Sequence, residues 1–98
     1  MRLRFSSQAR SQLQSIYDFL FERNPAAARR ILADIRASAD HLIDFPHMGR
    51  SGDVVGTREW VVRGSPYLIV YEIVPEESEI WVLGIFHGAQ DRREGSQG

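Results

Sequence analysis

The sequence predicts an α+β domain in which an N-terminal strand precedes an antiparallel helical hairpin packed on a three-stranded antiparallel meander. Between positions 9 and 42 the apolar residues recur at steps of three and four, the period of amphipathic helices. Between positions 60 and 86 they form β-branched and aromatic runs separated by turn residues, as strands do. The connections within each half are short, so neighbouring elements should be antiparallel.

The residues that follow Met1 alternate between arginine and an apolar side chain. This period of two predicts a strand with Leu3 and Phe5 towards a core and with Arg2 and Arg4 outward. We expect a short strand at the edge of a sheet.

Two helices follow, joined by a very short connection. Ser6 or Ser7 is a suitable N-cap for the first helix, and Asn24 with Pro25 ends that helix and begins the second. The first apolar stripe comprises Ala9, Leu13, Ile16, Tyr17 and Leu20, widened by Phe19 and Phe21. The second comprises Ala28, Ile31, Leu32, Ile35, Ala39 and Leu42. The charged residues Arg29, Arg30, Asp34, Arg36 and Asp40 are interpreted as a solvated outer face with helical ion pairs.

The stretch from Asp44 to Thr57 is rich in glycine and contains Pro46. These residues rule out regular structure through most of it. Phe45 and Met48 are large and apolar, so we expect both to pack beneath the helical hairpin.

The meander consists of runs at positions 60–62, 67–74 and 80–86, separated by Gly64-Ser65-Pro66 and by Pro75-Glu76-Glu77-Ser78. Alternation along the middle run puts Tyr67, Ile69, Tyr71 and Ile73 on one face, and Leu68, Val70, Glu72 and Val74 on the other. A lone carboxylate is costly to bury, so Glu72 indicates that the second face is the more solvent-exposed one. That face is nevertheless largely apolar, so either a partner covers it or the sheet is buried on both sides.

The composition restricts the class of protein. The 98 residues are predicted to form a single domain, 1–98, whose polar end from about residue 88 to 98 should fray. Without cysteine there are no disulfides or thiolate metal sites, and without a long apolar run or signal peptide a cytoplasmic location is expected. The formal net charge of −1 does not favour nucleic-acid binding, although all 12 basic residues are arginine.

The order of elements, with PHMGR before GTREWVV, then SPYLIVYEI and VLGIFHGAQDR, resembles the RelE/ParE superfamily of bacterial toxins. The resemblance extends from Leu3 to about Arg92. It implies a toxin of a type II toxin-antitoxin system, bound and neutralised by a cognate, ParD-like antitoxin in a hetero-oligomer. RelE-like members cut mRNA in the ribosomal A site, whereas ParE-like members inhibit DNA gyrase without cutting RNA.

The resemblance also indicates whether the RelE-like or the ParE-like branch fits this chain better. RNA-cutting members typically carry an arginine where this chain has Leu68, and often a further basic residue near Gly84. An arginine there would neutralise charge at the scissile phosphate, which leucine cannot do. If the chain were a nuclease, His87 would be a candidate acid or base with Glu59 as its partner. The ParE-like function is therefore favoured, with a ribosome-dependent mRNA endoribonuclease as the alternative and a decayed toxin that only binds its antitoxin as a third reading.

No cofactor or metal is predicted. His41 and His47 lack the spacing of metal ligands, and Gly49-Arg50-Ser51-Gly52 lacks the spacing and the following helix of a phosphate-binding loop.

Two contact surfaces are predicted instead. The antitoxin should lay a helix on the helical hairpin and an extended segment on the sheet face, through Leu68 and Val70 with Arg58 and Arg63 at the rim. Trp60 and Trp81 are interpreted as core residues. Contacts with the target are predicted for Arg58, His87, Gln90, Asp91, Arg92 and Arg93.

Overall fold

A sheet covered on one face by two helices makes up the computed structural model, which describes residues 1–88. The elements are β1 (Arg2–Phe5), α1 (Ser7–Arg23), α2 (Pro25–Asp44), β2 (Arg50–Ser51), β3 (Arg58–Val61), β4 (Tyr67–Val74), a 3-10 turn (Pro75–Glu77) and β5 (Glu79–His87). The predicted α+β order, with its N-terminal strand and helical hairpin, is confirmed.

The two helices are capped by the residues that the sequence indicates. Ser6 Oγ accepts a hydrogen bond from the amide of Ala9 at 3.0 Å. Asn24 ends α1, since its amide donates to Leu20 O at 2.7 Å. Its side chain begins α2 by accepting from the amide of Ala27 at 3.1 Å. A single residue between the helices forces them into an antiparallel hairpin.

The sheet has five strands in the order β1-β5-β4-β3-β2. The antiparallel meander β3–β4–β5 is confirmed, although its first strand runs from Arg58 to Val61 rather than from Trp60 to Val62. The helical hairpin carries the chain across the sheet, so β1 lies parallel to β5, with Leu3 opposite Ile80. The two-residue β2 pairs with β3 and forms the far edge; its neighbouring glycines concealed it in the sequence.

The core lies between α2 and the helix-side face of β4 and β5. Tyr67, Ile69 and Tyr71 of β4 are buried there, as their alternation predicts. Trp60 packs against this core, whereas Trp81 lies on the opposite face, paired with Arg4 and Glu72. On that opposite face Leu68 is only 4% exposed, Val70, Glu72 and Val74 are half-buried, and Val61 is 58% exposed.

Three aromatic residues lie outside the positions expected for them. Phe45 is 55% exposed and its ring contacts that of His41 at a tilt of 51°, with 5.0 Å between ring centroids, so the expectation that it packs beneath the hairpin is wrong. Of the two residues expected there, Met48 alone packs against the core. Phe19 and Phe21 are 56% and 44% exposed and do not widen the buried stripe of α1. The guanidinium of Arg23 lies over the Phe19 ring instead, at 3.7 Å.

Candidate functional site: an arginine-lined groove beside the first strand

A groove of about 1130 Å³ runs between the two helices and the outer edge of β1. Its apolar lining comes from these three elements and from β5, and comprises Leu3, Phe5, Leu13, Tyr17, Leu32, Ala33 and Trp81. The helices present matching positions to it, because residues at steps of three, four and seven share one helix face. On α1 these are Arg10, Leu13, Gln14 and Tyr17, and on α2 they are Arg29, Leu32, Ala33 and Arg36.

The charge of the groove is one-sided. Arg4, Arg10, Arg29 and Arg36 line it, and among the described residues no Asp or Glu does. Within residues 1–88, Arg10, Arg29 and Arg36 form no ion pair, which departs from the helical ion pairs expected from the sequence. Since the whole chain carries a formal charge of −1, this is a local basic patch on a near-neutral protein. It suits a ligand that is apolar and acidic at once.

The backbone of β1 adds a second feature to this groove. In the described part of the chain, β1 has a neighbouring strand on one side only. The amides of Arg2 and Ser6 donate to Ser78 O and Val82 O of the β5 side, at 2.8 and 2.9 Å. Alternate residues of a strand face the same neighbour, so the backbone groups of Leu3 and Phe5 point to the open edge. An extended segment of a partner could pair there.

One end of the groove is held by the carboxylate of Glu79, which is only 3% exposed. The indole Nε1–H of Trp81 donates to Oε1 at 3.0 Å, and the guanidinium groups of Arg2 and Arg4 donate to Oε2 at 2.9 and 3.2 Å. The Trp81 hydrogen bond, followed by Arg4 and Arg2, holds the pKa of this carboxyl below its ordinary value of 4.5 against the opposing effect of desolvation. These contacts fasten β1, and with it the groove, to β5.

Glu79 should make the stability of the domain depend on pH in acid. Its folded pKa is depressed, so its contribution is present above the unfolded pKa and is lost as pH falls through the folded value. We expect Glu79→Gln to lower the unfolding midpoint at neutral pH, and the difference from the unmodified chain to shrink towards about pH 3. Thermal melts across this range test it, with the exposed Glu77→Gln as control. A difference that stays constant with pH would contradict the role given to Glu79.

The glycine-rich loop is fastened to the sheet by a buried tyrosine. Tyr71 Oη donates to Pro46 O at 2.6 Å and accepts from the amide of Gly49 at 3.0 Å. Burial raises the pKa of Tyr71, with the Gly49 hydrogen bond and the charge of Arg58 acting in the other direction. Arg58 also takes part, since its Nη1–H donates to Gly49 O at 2.6 Å. We call this arrangement of Tyr71, Pro46, Gly49 and Arg58 the loop clasp.

The structure separates the residues predicted for partner and target contacts. Arg58 belongs to the loop clasp, on the helix side of the sheet, whereas Leu68 and Val70 face the other side. Arg63 is exposed in the turn between β3 and β4. His87 is exposed at the same end of the meander, edge-on to Tyr67 at 5.5 Å between ring centroids. Gln90, Asp91, Arg92 and Arg93 lie outside the described residues.

The structure does not bring Glu59 and His87 together. Glu59 pairs with Val70 and His87 with Tyr67, on strands that flank β4 from opposite sides. This separates them by about 10 Å across the sheet and about 10 Å along it, on opposite faces. Glu59 is instead 4% exposed and bound by Arg50, with Nη2 to Oε1 at 3.3 Å. The pair cannot act on one phosphate.

Residues 1–88 contain no cluster of His, Asp or Glu suited to a metal ion. Neither of the two described helices has the length and apolarity needed to cross a membrane.

The groove itself was missed from the sequence, although a signal for it exists. The spacing Arg10-x-x-Leu13-Gln14-x-x-Tyr17 is repeated in kind by Arg29-x-x-Leu32-Ala33-x-x-Arg36. Leu13, Tyr17 and Leu32 were assigned to the core stripes, but all three line the groove, and of them only Leu13 also packs against the core. In sequence the apolar residues of this face are indistinguishable from core positions, and Arg29 and Arg36 from ordinary solvated surface.

The chain is similar to toxins of toxin-antitoxin systems. Residues 3–92 match the family described as ParE toxin of type II toxin-antitoxin system, parDE. Y4kP of Sinorhizobium fredii, provisionally named as a toxin, is 33% identical over 89 residues, covering 91% of this chain and 90% of that protein. Toxin RelE2 of Caulobacter vibrioides is 30% identical over 83 residues, covering 85% of this chain and 90% of that protein.

Solved structures share the fold. The chromosomal ParDE system of P. aeruginosa contains a chain with 24% identity and a TM-score of 0.79, covering 90% of this chain and 96% of that one. The RelBE2 toxin-antitoxin complex of Mycobacterium tuberculosis contains one with 27% identity and a TM-score of 0.65, covering 88% of this chain and 95% of that one.

Proposed function

The chain belongs to the ParE toxin family of type II toxin-antitoxin systems, and from this premise we propose that it arrests growth by binding DNA gyrase in the cytoplasm until its cognate antitoxin neutralises it. The proposal has two parts, a binding site for the antitoxin and a target that is a protein rather than RNA.

The antitoxin is assigned to the groove. An acidic amphipathic helix would place its apolar side on Leu13, Tyr17 and Leu32 and its carboxylates against Arg10, Arg29 and Arg36. An extended segment leaving that helix would pair with the open edge of β1. The sequence predicts such a segment near Leu68 and Val70 instead, but Leu68, being 4% exposed, offers little surface. The solved RelBE2 toxin-antitoxin complex of Mycobacterium tuberculosis, whose matching chain is 27% identical, supports an antitoxin as the partner.

The observation that carries the choice of target is the environment of Leu68. RNA-cutting members of the superfamily typically have an arginine at this position, where it can stabilise charge on the scissile phosphate. Here the leucine is buried between Val61 and Phe86 on neighbouring strands, and Gly84 lies nearby on β5. Glu59 and His87 are also far apart. Among the described residues, no group of side chains supplies both charge stabilisation and proton transfer at one place. A protein target requires neither.

The target is tested with purified chain in two reactions. One is DNA supercoiling by gyrase, with cleaved DNA measured as well, and the other is translation on ribosomes, with mRNA cleavage measured by primer extension. Inhibited supercoiling with intact mRNA supports the proposal. Cleavage at codons in the ribosomal A site would establish the alternative, an mRNA endoribonuclease, towards which the name of the Caulobacter relative points.

His87→Ala separates the two targets inside cells. His87 is exposed and contacts the Tyr67 ring, so the variant should fold. If the chain binds gyrase, His87→Ala removes at most one of the predicted target contacts and no proton transfer, so growth arrest should change by less than about tenfold. A general acid or base would instead cost roughly 100-fold or more in activity. Growth curves at matched expression levels distinguish the two targets, and the thermal midpoint of the variant checks that it is folded.

A further inference from the structure

Each helix of the hairpin presents to the groove the four positions that form a hole in helix-helix packing. In knobs-into-holes packing, a side chain of one helix enters a hole between four residues of its neighbour, which lie at steps of three, four and seven. On α1 these residues are Arg10, Leu13, Gln14 and Tyr17, and on α2 they are Arg29, Leu32, Ala33 and Arg36. The groove therefore has one hole in each helical wall, and a third helix is the element whose side chains can enter both.

The hole on α2, which we call the α2 hole, has an apolar floor with room above it. Leu32 is half-buried and Ala33 is exposed, so the small side chain of Ala33 leaves open volume beside the leucine. Arg29 and Arg36 lie at the two ends of the hole, and neither forms an ion pair within residues 1–88. A large apolar side chain therefore fits the floor, and a carboxylate fits each end.

The two arginines of the α2 hole determine the spacing of the carboxylates that can bind them together. Arg29 and Arg36 are seven residues apart, which is a rise of about 10.5 Å along α2. Two residues seven apart on a helix packed alongside rise by the same amount and return to nearly the same face. Residues four apart rise by only about 6 Å, and residues nine apart lie on opposite faces of their helix. A spacing of seven is therefore the one that matches both arginines.

The two ends of the groove differ in charge. Because the helices are antiparallel and joined at Asn24, Arg10 lies at the same end of the groove as Arg36, and Tyr17 lies at the end of Arg29. A carboxylate at the first end is attracted by two guanidinium groups, whereas a carboxylate at the second end is attracted by one. The contact at Arg36 should therefore contribute more to the affinity.

We propose that the antitoxin helix carries two carboxylates seven residues apart, with a large apolar residue three or four positions after the first, and that this apolar side chain enters the α2 hole. The carboxylates then bind Arg29 and Arg36. This inference rests on the proposed function, since it gives the chemistry of the helix assigned to the groove. It also makes Ala33 a specificity-determining residue, because only a small side chain there admits the apolar residue of the partner.

The α2 hole is tested by comparing Ala33→Leu with Ala37→Leu. Both alanines are exposed on α2, but Ala37 does not line the groove. Leucine at position 33 fills the hole, so the affinity of the purified chain for its antitoxin should fall by at least about tenfold. With Ala37→Leu the affinity should stay within about twofold, because no contact of the bound helix is changed. Thermal midpoints check that both variants are folded.

The spacing is tested by exchanging charges between the partners. Pairs of Asp and Glu residues of the antitoxin are changed to lysine, and each product is titrated against Arg29→Glu/Arg36→Glu. One pair, seven residues apart, should restore at least about tenfold of the lost affinity, because each lysine then faces a glutamate. The same antitoxin should gain nothing against Arg30→Glu/Arg63→Glu, in which the exchanged charges lie outside the groove.

The outcomes separate this inference from the proposed function. Equal affinity of Ala33→Leu and Ala37→Leu would show that no side chain enters the α2 hole. If Arg29→Glu/Arg36→Glu weakens binding but no pair seven residues apart restores it, the spacing is wrong and the assignment of the antitoxin to the groove stands. If this variant binds the unmodified antitoxin as tightly as the unmodified chain does, the groove is not the antitoxin site and both proposals fail.

Discussion

Gly49→Ala should destabilise the domain by about 2–4 kcal/mol, because the new Cβ overlaps atoms that cannot move and breaks the loop clasp. That Cβ would lie 2.6 Å from Tyr71 Oη and 2.8 Å from Glu59 O. Tyr71 is fully buried and bonded to Pro46 O, and Glu59 O belongs to the backbone of β3. The loop must therefore move away, and the hydrogen bond from the Gly49 amide to Tyr71 Oη is lost.

Urea denaturation at neutral pH measures this effect, and Gly64→Ala is its control. Gly64 has φ +76°, and a Cβ at this position would have no neighbouring atom within 4 Å, so alanine there costs only its backbone strain, roughly 1–2 kcal/mol. Tyr71→Phe keeps the ring and removes the hydroxyl, which leaves the buried Gly49 amide without its acceptor and the half-buried Pro46 carbonyl without its donor, at a cost of roughly 1–3 kcal/mol. If Gly49→Ala costs no more than Gly64→Ala, the loop is not held as described.

The loop clasp illustrates what the sequence could not supply. Tyr71 lies 25 residues from Pro46, and no periodic pattern connects them. The motif PHMGR contributes to the family resemblance, yet its physical reason, a glycine that admits a tyrosine hydroxyl, appears only in three dimensions. The same limit explains Phe45: its size suggests burial, but it follows the last turn of α2 and points outward onto His41.

Predictions from local sequence patterns were more accurate than those about distant contacts, because the interactions behind them lie within a few residues. Asn24 followed by Pro25 fixes the helix boundary through a side-chain cap and a pre-set φ. Alternation along β4 gives the buried face correctly, since a strand has a period of two. Glu59 and His87 show where this reasoning ends. Strand register, set across the sheet, decides whether two polar residues can meet.

The groove could be predicted from the sequence only in part. Its residues follow helical spacing, but the sequence divides them between the core stripes, which take Leu13, Tyr17 and Leu32, and the solvated surface, which takes the arginines. Only the packing of β1 against β5 adds Leu3 and Phe5 to these residues and turns them into a concave site. The sequence therefore indicated that a helix of the antitoxin binds the hairpin, but not which surface of the hairpin it binds.

Reversing two charges in the groove should release the toxin from its antitoxin. Arg29→Glu/Arg36→Glu places two carboxylates where we expect acidic side chains of the bound helix, so binding should weaken by about 100-fold or more. Both arginines are exposed on α2 and form no ion pair within residues 1–88, so folding should be little affected. Growth arrest should persist, and the antitoxin should no longer rescue the cells.

The matched comparison is Arg30→Glu/Arg63→Glu, which makes the same change in net charge at two exposed arginines that do not line the groove. Antitoxin is titrated against each variant in the Trp60→Phe background, so that the tryptophan fluorescence of the toxin comes from Trp81 in the groove wall, and the titration is repeated at high salt. Added salt should weaken the unmodified complex more than the residual binding of the groove variant, since the arginine contribution is screened. Equal affinity of the two variants would place the antitoxin elsewhere. A greater loss in Arg30→Glu/Arg63→Glu would favour the rim predicted from the sequence, where Arg63 lies at the end of the meander.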